Sequence, residues 1–175
     1  HFVSITNRHV IREIAEIVTA KNQQIAAEVE KIDDVKAAKF IKFCKNFTVF
    51  WKESAPVLTA VLTTDYIPDG YEQYEMIGAD QEILDDLKLR RNPGMQSVGC
   101  ALENFTLKAI ELGYGTTILT SVNYAAPEIE QYLREKHMVQ TDGYYLAGMI
   151  AMGVPEENQK SPRKKDMTDI CTIIK

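Results

Sequence analysis

The chain predicts an α/β or α+β domain in which helices cover a sheet. Two patterns carry that prediction. Strand-like apolar runs alternate with long helical stretches, and several of those runs are apolar on both faces, as strands covered from both sides must be. A third observation sets the scale: 175 residues suit one domain with a sizeable core.

The elements follow in order. Phe2 to Ile5 is β-branched and alternating enough for a short strand. Thr6-Asn7 offers a helix cap, and Val10, Ile14, Ile17 and Val18 share one helical face up to about Ala20. Helical spacing continues from Asn22 to Asn46, where Asp33-Asp34 supplies a cap for a restart. Pro56 opens the next element, and Val57 to Thr63 reads as a buried strand. Asp65 to Gly78 is expected to be a loop or lid, too acidic and irregular for core, and a helical stretch runs from about Ala79 to Arg90. Asn92-Pro93 starts the strongest helix, with an apolar stripe of Val98, Leu102, Phe105, Ala109 and Leu112 and a stop at Gly113. Its first half is small: Gly94, Ser97, Gly99, Cys100 and Ala101 suit close approach of another backbone. Gly115 to Thr120 is a strand, Ala126 to Lys136 a helix, and Tyr144 to Val154 a near-continuously apolar strand ended by Pro155. The tail from Glu156 is basic first and β-branched last, Ile170 to Ile174, with no hairpin partner beside it. It is expected to add to a sheet edge, that of a second subunit included.

Composition narrows the function. Hydrophobic residues make up 45% and charged residues 26%, a globular balance. The net charge of −5 repels a phosphate backbone, so no nucleic-acid partner is expected. No apolar run reaches the roughly 20 residues of a membrane span. Three scattered cysteines (Cys44, Cys100, Cys171) suit a reducing, cytoplasmic setting rather than a disulfide framework. The three histidines lack metal-ligand spacing. There is neither a phosphate-cradling GxxxxGK[ST] loop nor a GxSxG elbow. Glu53, Asp65 and Glu103 are ordinary surface carboxylates as readily as acid–base groups.

An enzyme whose cofactor carries the chemistry needs only pockets for a phosphate, a ring and a substrate. Lys160, Arg163, Lys164 and Lys165 either hold a phosphate or form a solvated basic tail. Ile118-Leu119-Thr120-Ser121 either turns backbone N–H groups toward a flat ring or is a plain strand exit.

Together these pieces resemble the nitroreductase family of flavin enzymes. SVGCALENFTLKAIELGYGT, from Ser97 to Thr116, is similar to that family's A-x-E-N-x-x-L-x-A-x-x-L-G-x-G helix and strand. AMGVP, from Ala151 to Pro155, resembles its last core strand, and KSPRK, from Lys160 to Lys164, its phosphate-binding K-x-x-R-K tail. His1-Phe2-Val3 is similar to the stretch after its Q-P-W, so further residues are expected upstream, among them the N-terminal helix and its phosphate contacts. The resemblance covers nearly the whole chain and is weakest from Asp65 to Leu89.

The resemblance implies a three-layer α+β fold with a mainly antiparallel central sheet, in a homodimer with FMN at the subunit interface. Residues 1–175 would form a single domain, 65–92 a variable lid or insert, and 156–175 an extension to the partner subunit. It implies ping-pong hydride transfer from NADH or NADPH through flavin N5 to a nitroaromatic, quinone or similar small acceptor, with no catalytic side chain. Arg163, helped by Lys160 or Lys165, would bind the FMN phosphate. The backbone at Leu119, Thr120 and Ser121 would lie by the ring, and Asn46 or Phe47 by its pyrimidine side. Tyr66, Tyr71 and Tyr74 would either stack on substrate or pack the lid. Thr120-Ser121 stands where many relatives carry an acidic residue and glycine. The competing expectation is a non-catalytic dimeric module that keeps the fold to bind a ligand or protein.

Overall fold

The computed structural model describes residues 1–90, 92–139, 142–157 and 163–174. Four strands, β1 (Phe2–Ile5), β2 (Val57–Thr64), β3 (Gly115–Leu119) and β4 (Tyr144–Gly153), form one sheet in the order β1-β2-β4-β3. Every pairing is antiparallel. The helices are α1 (Arg8–Glu30), α2 (Asp34–Phe47), α3 (Trp51–Ser54), α4 (Tyr71–Met76), α5 (Gln81–Arg90), α6 (Pro93–Glu111), α7 (Ala126–Glu135) and α8 (Met167–Ile170), with a 3-10 turn at Ser121–Ala125.

Local chemistry sets the helix starts. Asn7, Asp33 and Asn92 each accept a bond from a backbone N–H of the first turn they open, those of His9, Lys36 and Met95. At α6, Pro93 occupies the first turn, and Gly113 at φ +84° ends the helix in the left-handed region that a Cβ disfavours. The break expected at Asp33-Asp34 is present. The stretch before it is one helix through Ala20 and Asn22, because Asn22 is itself buried on the inner face of α1.

The sheet separates two cores. Leu58, Ala60, Leu62, Leu146, Met149 and Ala151 face α1, α3, the 3-10 turn and α7, around Ile11, Ile14, Trp51, Ile129 and Leu133. Val61, Ala147 and Ile150 face α6, packed on Val98 and Leu102. The parity of β4 changes along its length: Leu146 shares a face with the odd-numbered Met149 and Ala151. The cause is a bulge. Val61 pairs with Gly148 and Leu62 with Leu146, so Ala147 is the extra residue that flips the alternation.

Two features differ from the sequence reading, and a third lies in a stretch it did not assign. Trp51 opens a short helix and is wholly buried, its Nε1 donating to the Thr48 carbonyl at 2.7 Å. Within the expected loop, Tyr71–Met76 is a helix, although none of its residues is buried. In the tail, residues 167–170 form a helical turn and 171–174 have no regular structure, so the strand expected at 170–174 is absent among the described residues of this chain.

Candidate functional site

The ring-facing segment of the sequence reading lies where the bulge and the end of β3 meet. Leu119 pairs with Met149, and the chain then turns at Thr120 into the 3-10 turn. Two contacts pin that turn. Asn123 Nδ2 donates to the Ala147 carbonyl at 3.1 Å, partnering the peptide that the bulge takes out of the ladder. Gly148 lets the Leu119 carbonyl come close, since a Cβ there would stand 3.3 Å from it. The Leu119 side chain is buried in the core, so only its backbone is offered outward.

The end of α2 arrives at the same place. Ser121 Oγ lies 3.5 Å from the Phe47 carbonyl, which brings Leu119, Thr120 and Ser121 beside Asn46 and Phe47, a juxtaposition across more than 70 residues of chain. Asn46 is exposed there. The sequence reading missed the aromatic frame around this point. Phe43 and Phe47 stack with centroids 5.2 Å apart, and Phe40 meets Tyr124 edge-on at 5.8 Å. Phe43, Phe47 and Tyr124 are 42%, 59% and 45% exposed, so part of each ring faces outward. The signal was available: Phe40, Phe43 and Phe47 recur at i, i+3 and i+7, on one flank of a helix whose inner face is Ala37 and Cys44.

The other expected residues are elsewhere. Arg163, Lys164 and Lys165 line a hollow of about 530 Å³ with Asp166 and Asp169, so two carboxylates stand among the three cations. Lys160 lies outside the described residues. No described contact joins this tail to Ser121 within the single chain. Tyr66 lines a hollow of about 290 Å³ with Pro68, Arg90, Pro93 and Gln96, and packs against Gly94. Tyr71 lies under the Lys88 ammonium, 4.7 Å from its ring centre, and Tyr74 is exposed. The three tyrosines therefore lie along residues 66–74, beside the start of α6 and α5, and are not gathered at Ser121. Among the described residues, no group of three or more histidines, cysteines or carboxylates is placed to hold a metal, and no helix is long and apolar enough to cross a membrane. Of the three surface carboxylates considered, Glu53 is engaged in holding structure. The Arg12 guanidinium at 3.0 Å keeps its carboxyl below the usual carboxylate range.

A helix-flanked antiparallel sheet whose bulge and strand exit meet an aromatic helix end defines the class, and the chain belongs to the nitroreductase family, whose model matches residues 1–154. Among solved structures it is similar to a BluB-like flavoprotein from Clostridium difficile 630, at 51% identity and a TM-score of 0.93 over 100% of this chain and 79% of that one. The same fold recurs at 16% identity, with a TM-score of 0.62, in a nitroreductase with bound FMN from Desulfitobacterium hafniense DCB-2 (100% of this chain, 75% of that one). A nitroreductase with bound FMN from Bacteroides fragilis NCTC 9343 shares it at 18% identity and a TM-score of 0.54 (100% and 75%). No curated protein matches the sequence.

Proposed function

We propose that the protein is an FMN-dependent oxidoreductase. The observation that carries this reading is the meeting of the Leu119–Ser121 turn with the exposed aromatic end of α2 at Phe47. It joins a backbone edge to flat apolar surface, as a planar heteroaromatic ring requires. FMN held there would supply the redox chemistry, two-electron exchange between NADH or NADPH as donor and a nitroaromatic, quinone or similar acceptor in a ping-pong scheme. This chain's residues bind and orient. Thr120 and Ser121 present backbone at the ring edge, Asn46 supplies an amide toward its pyrimidine side, and Arg163 with Lys160 and Lys165 holds the phosphate. Tyr66, Tyr71 and Tyr74 either stack on the acceptor or pack the lid. The setting is cytoplasmic.

The phosphate-binding tail reaches the ring site in a homodimer. One helix, α6, covers a four-stranded sheet on one side and exposes Leu107, Ile110 and Leu112. Beside the free edge of β3 runs a groove of about 660 Å³ lined by Phe50, Ile110, Tyr114, Thr116, Thr117 and Val154. The unpaired tail carries Ile170, Ile173 and Ile174, all largely exposed, and a second copy's tail suits that edge.

The test is a visible absorption spectrum of the purified chain after addition of FMN and desalting. A retained flavin band is expected, and a colourless protein overturns the reading. A second reading, a non-catalytic dimeric binding module, draws support from the separation of Arg163 and Lys165 from Ser121 within one chain. Steady-state NADH or NADPH oxidation with a quinone separates the two.

A further inference from the structure

Charge is segregated along this chain. Residues 65–92 hold eight acidic and three basic side chains, a net −5, which equals the net charge of the whole protein. Residues 31–52 hold six lysines against Asp33 and Asp34, a net +4. On α5, Glu82, Asp85, Asp86 and Leu89 follow i, i+3, i+4 and i+7 spacing and lie opposite the buried Leu84, so they form one outward stripe. On α2, Val35, Lys39 and Lys42 form the corresponding outward stripe, opposite the buried Ala37 and Cys44. A shallow depression of about 380 Å³ on the α2 stripe is lined by Asp34, Val35, Ala38, Lys39 and Lys42. Lys39, Lys42 and Lys45 pair with no described residue, whereas Lys36 pairs with Asp33. Both stripes carry uncovered apolar groups. Leu89 is 80% exposed and Val35 57%, with Met76 and Ile77 bare beside α5.

Within one chain these two surfaces face apart. α2 packs on α1, on the sheet face that holds Trp51 and Ile14. The lid adjoins the start of α6, on the opposite face, through Tyr66 against Gly94. A two-fold interface asks one surface of a chain to complement another surface of the same chain, twice over. The geometry points to a clasp between two copies: the acidic outer stripe of α5 in one copy seats on the basic outer stripe of α2 in the other. This inference rests on the homodimer of the proposed function and adds its electrostatic register. Leu89, Met76 and Ile77 lose water against Val35 and Ala38, while Glu82 and Asp85 face Lys39 and Lys42. The opposed charges set orientation and speed of encounter and add screened attraction, and reversing one stripe sets like charges against each other, which weakens the dimer itself.

The experiment uses three proteins, the parent, Lys39→Glu/Lys42→Glu and Glu82→Lys/Asp85→Lys, with molar mass measured by light scattering across a micromolar dilution series. The parent dimer is expected to weaken about tenfold or more between about 50 mM and about 500 mM NaCl, since the facing charges are screened. Each variant alone is expected to dissociate at low salt with its circular dichroism unchanged. An equimolar mixture of the two variants is expected to restore the dimer, because each reversed stripe then meets its opposite in the other copy. That rescue cannot arise if the lid folds onto its own α2. Salt-independent dimers in all three proteins overturn the clasp and leave the homodimer standing, with α2 then free for a foreign acidic partner. Variants that dissociate without mutual rescue also overturn it. A monomeric parent overturns the clasp and the homodimer together.

Discussion

A buried amide shows how much single residues carry here. Asn22 Nδ2 donates to Thr48 Oγ1 at 2.9 Å, and Thr48 donates in turn to the Cys44 carbonyl at 2.8 Å, all away from water. Asn22 Oδ1 has no described partner, so the network has no spare bond to lose. Thr48→Ala removes the amide's acceptor and is expected to cost ~1–3 kcal/mol, the penalty for an orphaned buried donor. Thr48→Ser keeps the hydroxyl and is expected to lose about 1 kcal/mol, one methyl's worth of burial. Urea midpoints compare the two. Glu13 sets the acid response. The Tyr132 hydroxyl donates to it at 2.7 Å, and Lys136 and His9 add positive charge, so its carboxyl sits below the ordinary value near 4.5. Glu53 and Glu128 are lowered too, by bonds from Arg12 and Lys21. A lowered folded pKa means the stabilisation is complete above the unfolded value and is lost as pH falls through the folded one. The Tm is therefore expected to hold down to about pH 4.5 and fall below it. Glu13→Gln should lower the Tm at neutral pH and make the fall shallower. An unchanged acid limb would remove Glu13 from this role.

At the scale of elements, the bulge in β4 does two jobs. It turns Leu146 and Met149 to the same core, and it frees the Ala147 carbonyl for Asn123. The loop that carries Thr120 and Ser121 is thus fastened to the centre of the sheet rather than to its own strand. Asn123→Ala is expected to cost about 1 kcal/mol and to weaken FMN binding as the turn loosens. Denaturant titration and flavin fluorescence read the two effects separately. Equal flavin affinity in that variant would mean the turn is held by packing of Val122 and Ala125 alone. Helix boundaries were largely legible because caps are local. Asn7, Asp33 and Asn92 act within three residues of themselves, and Gly113 needs only its own φ. Trp51 was not legible, because a four-residue helix carries no periodicity and its burial depends on α1 and β2 closing over it.

For the whole molecule, the two halves of the expected site behave differently. The ring side, Leu119 to Ser121 with Asn46 and Phe47, comes together within one chain. The phosphate side does not, since Arg163 and Lys165 remain in an exposed tail among Asp166 and Asp169. That division is what a site completed by a second copy requires. Arg163→Ala is expected to weaken FMN binding by ~1–3 kcal/mol, the range for losing a charged hydrogen-bond partner. Fluorescence titration of FMN checks it, and unchanged affinity would remove Arg163 from the phosphate site. The segment from 65 to 92 differs from the rest of the chain in charge. Among the described residues Tyr66, Tyr71 and Tyr74 meet different neighbours, and residues 65–92 hold a net charge of −5, equal to that of the whole chain.

The order of the four strands and of the long helices α1, α2, α5, α6 and α7, the caps, and the resemblance running from Ser97 to Thr116 were determined by sequence alone. Each rests on spacing within a few residues, or on a motif that survives without its surroundings. Which faces of β4 meet which core was decided by tertiary structure, because one extra residue at Ala147 inverts an alternation that an all-apolar strand cannot display. The aromatic frame at Phe43, Phe47 and Tyr124 was decided there too. Its members lie on α2 and beyond β3, some 80 residues apart, and only the packing of α2 on α1 beside the 3-10 turn makes them one surface.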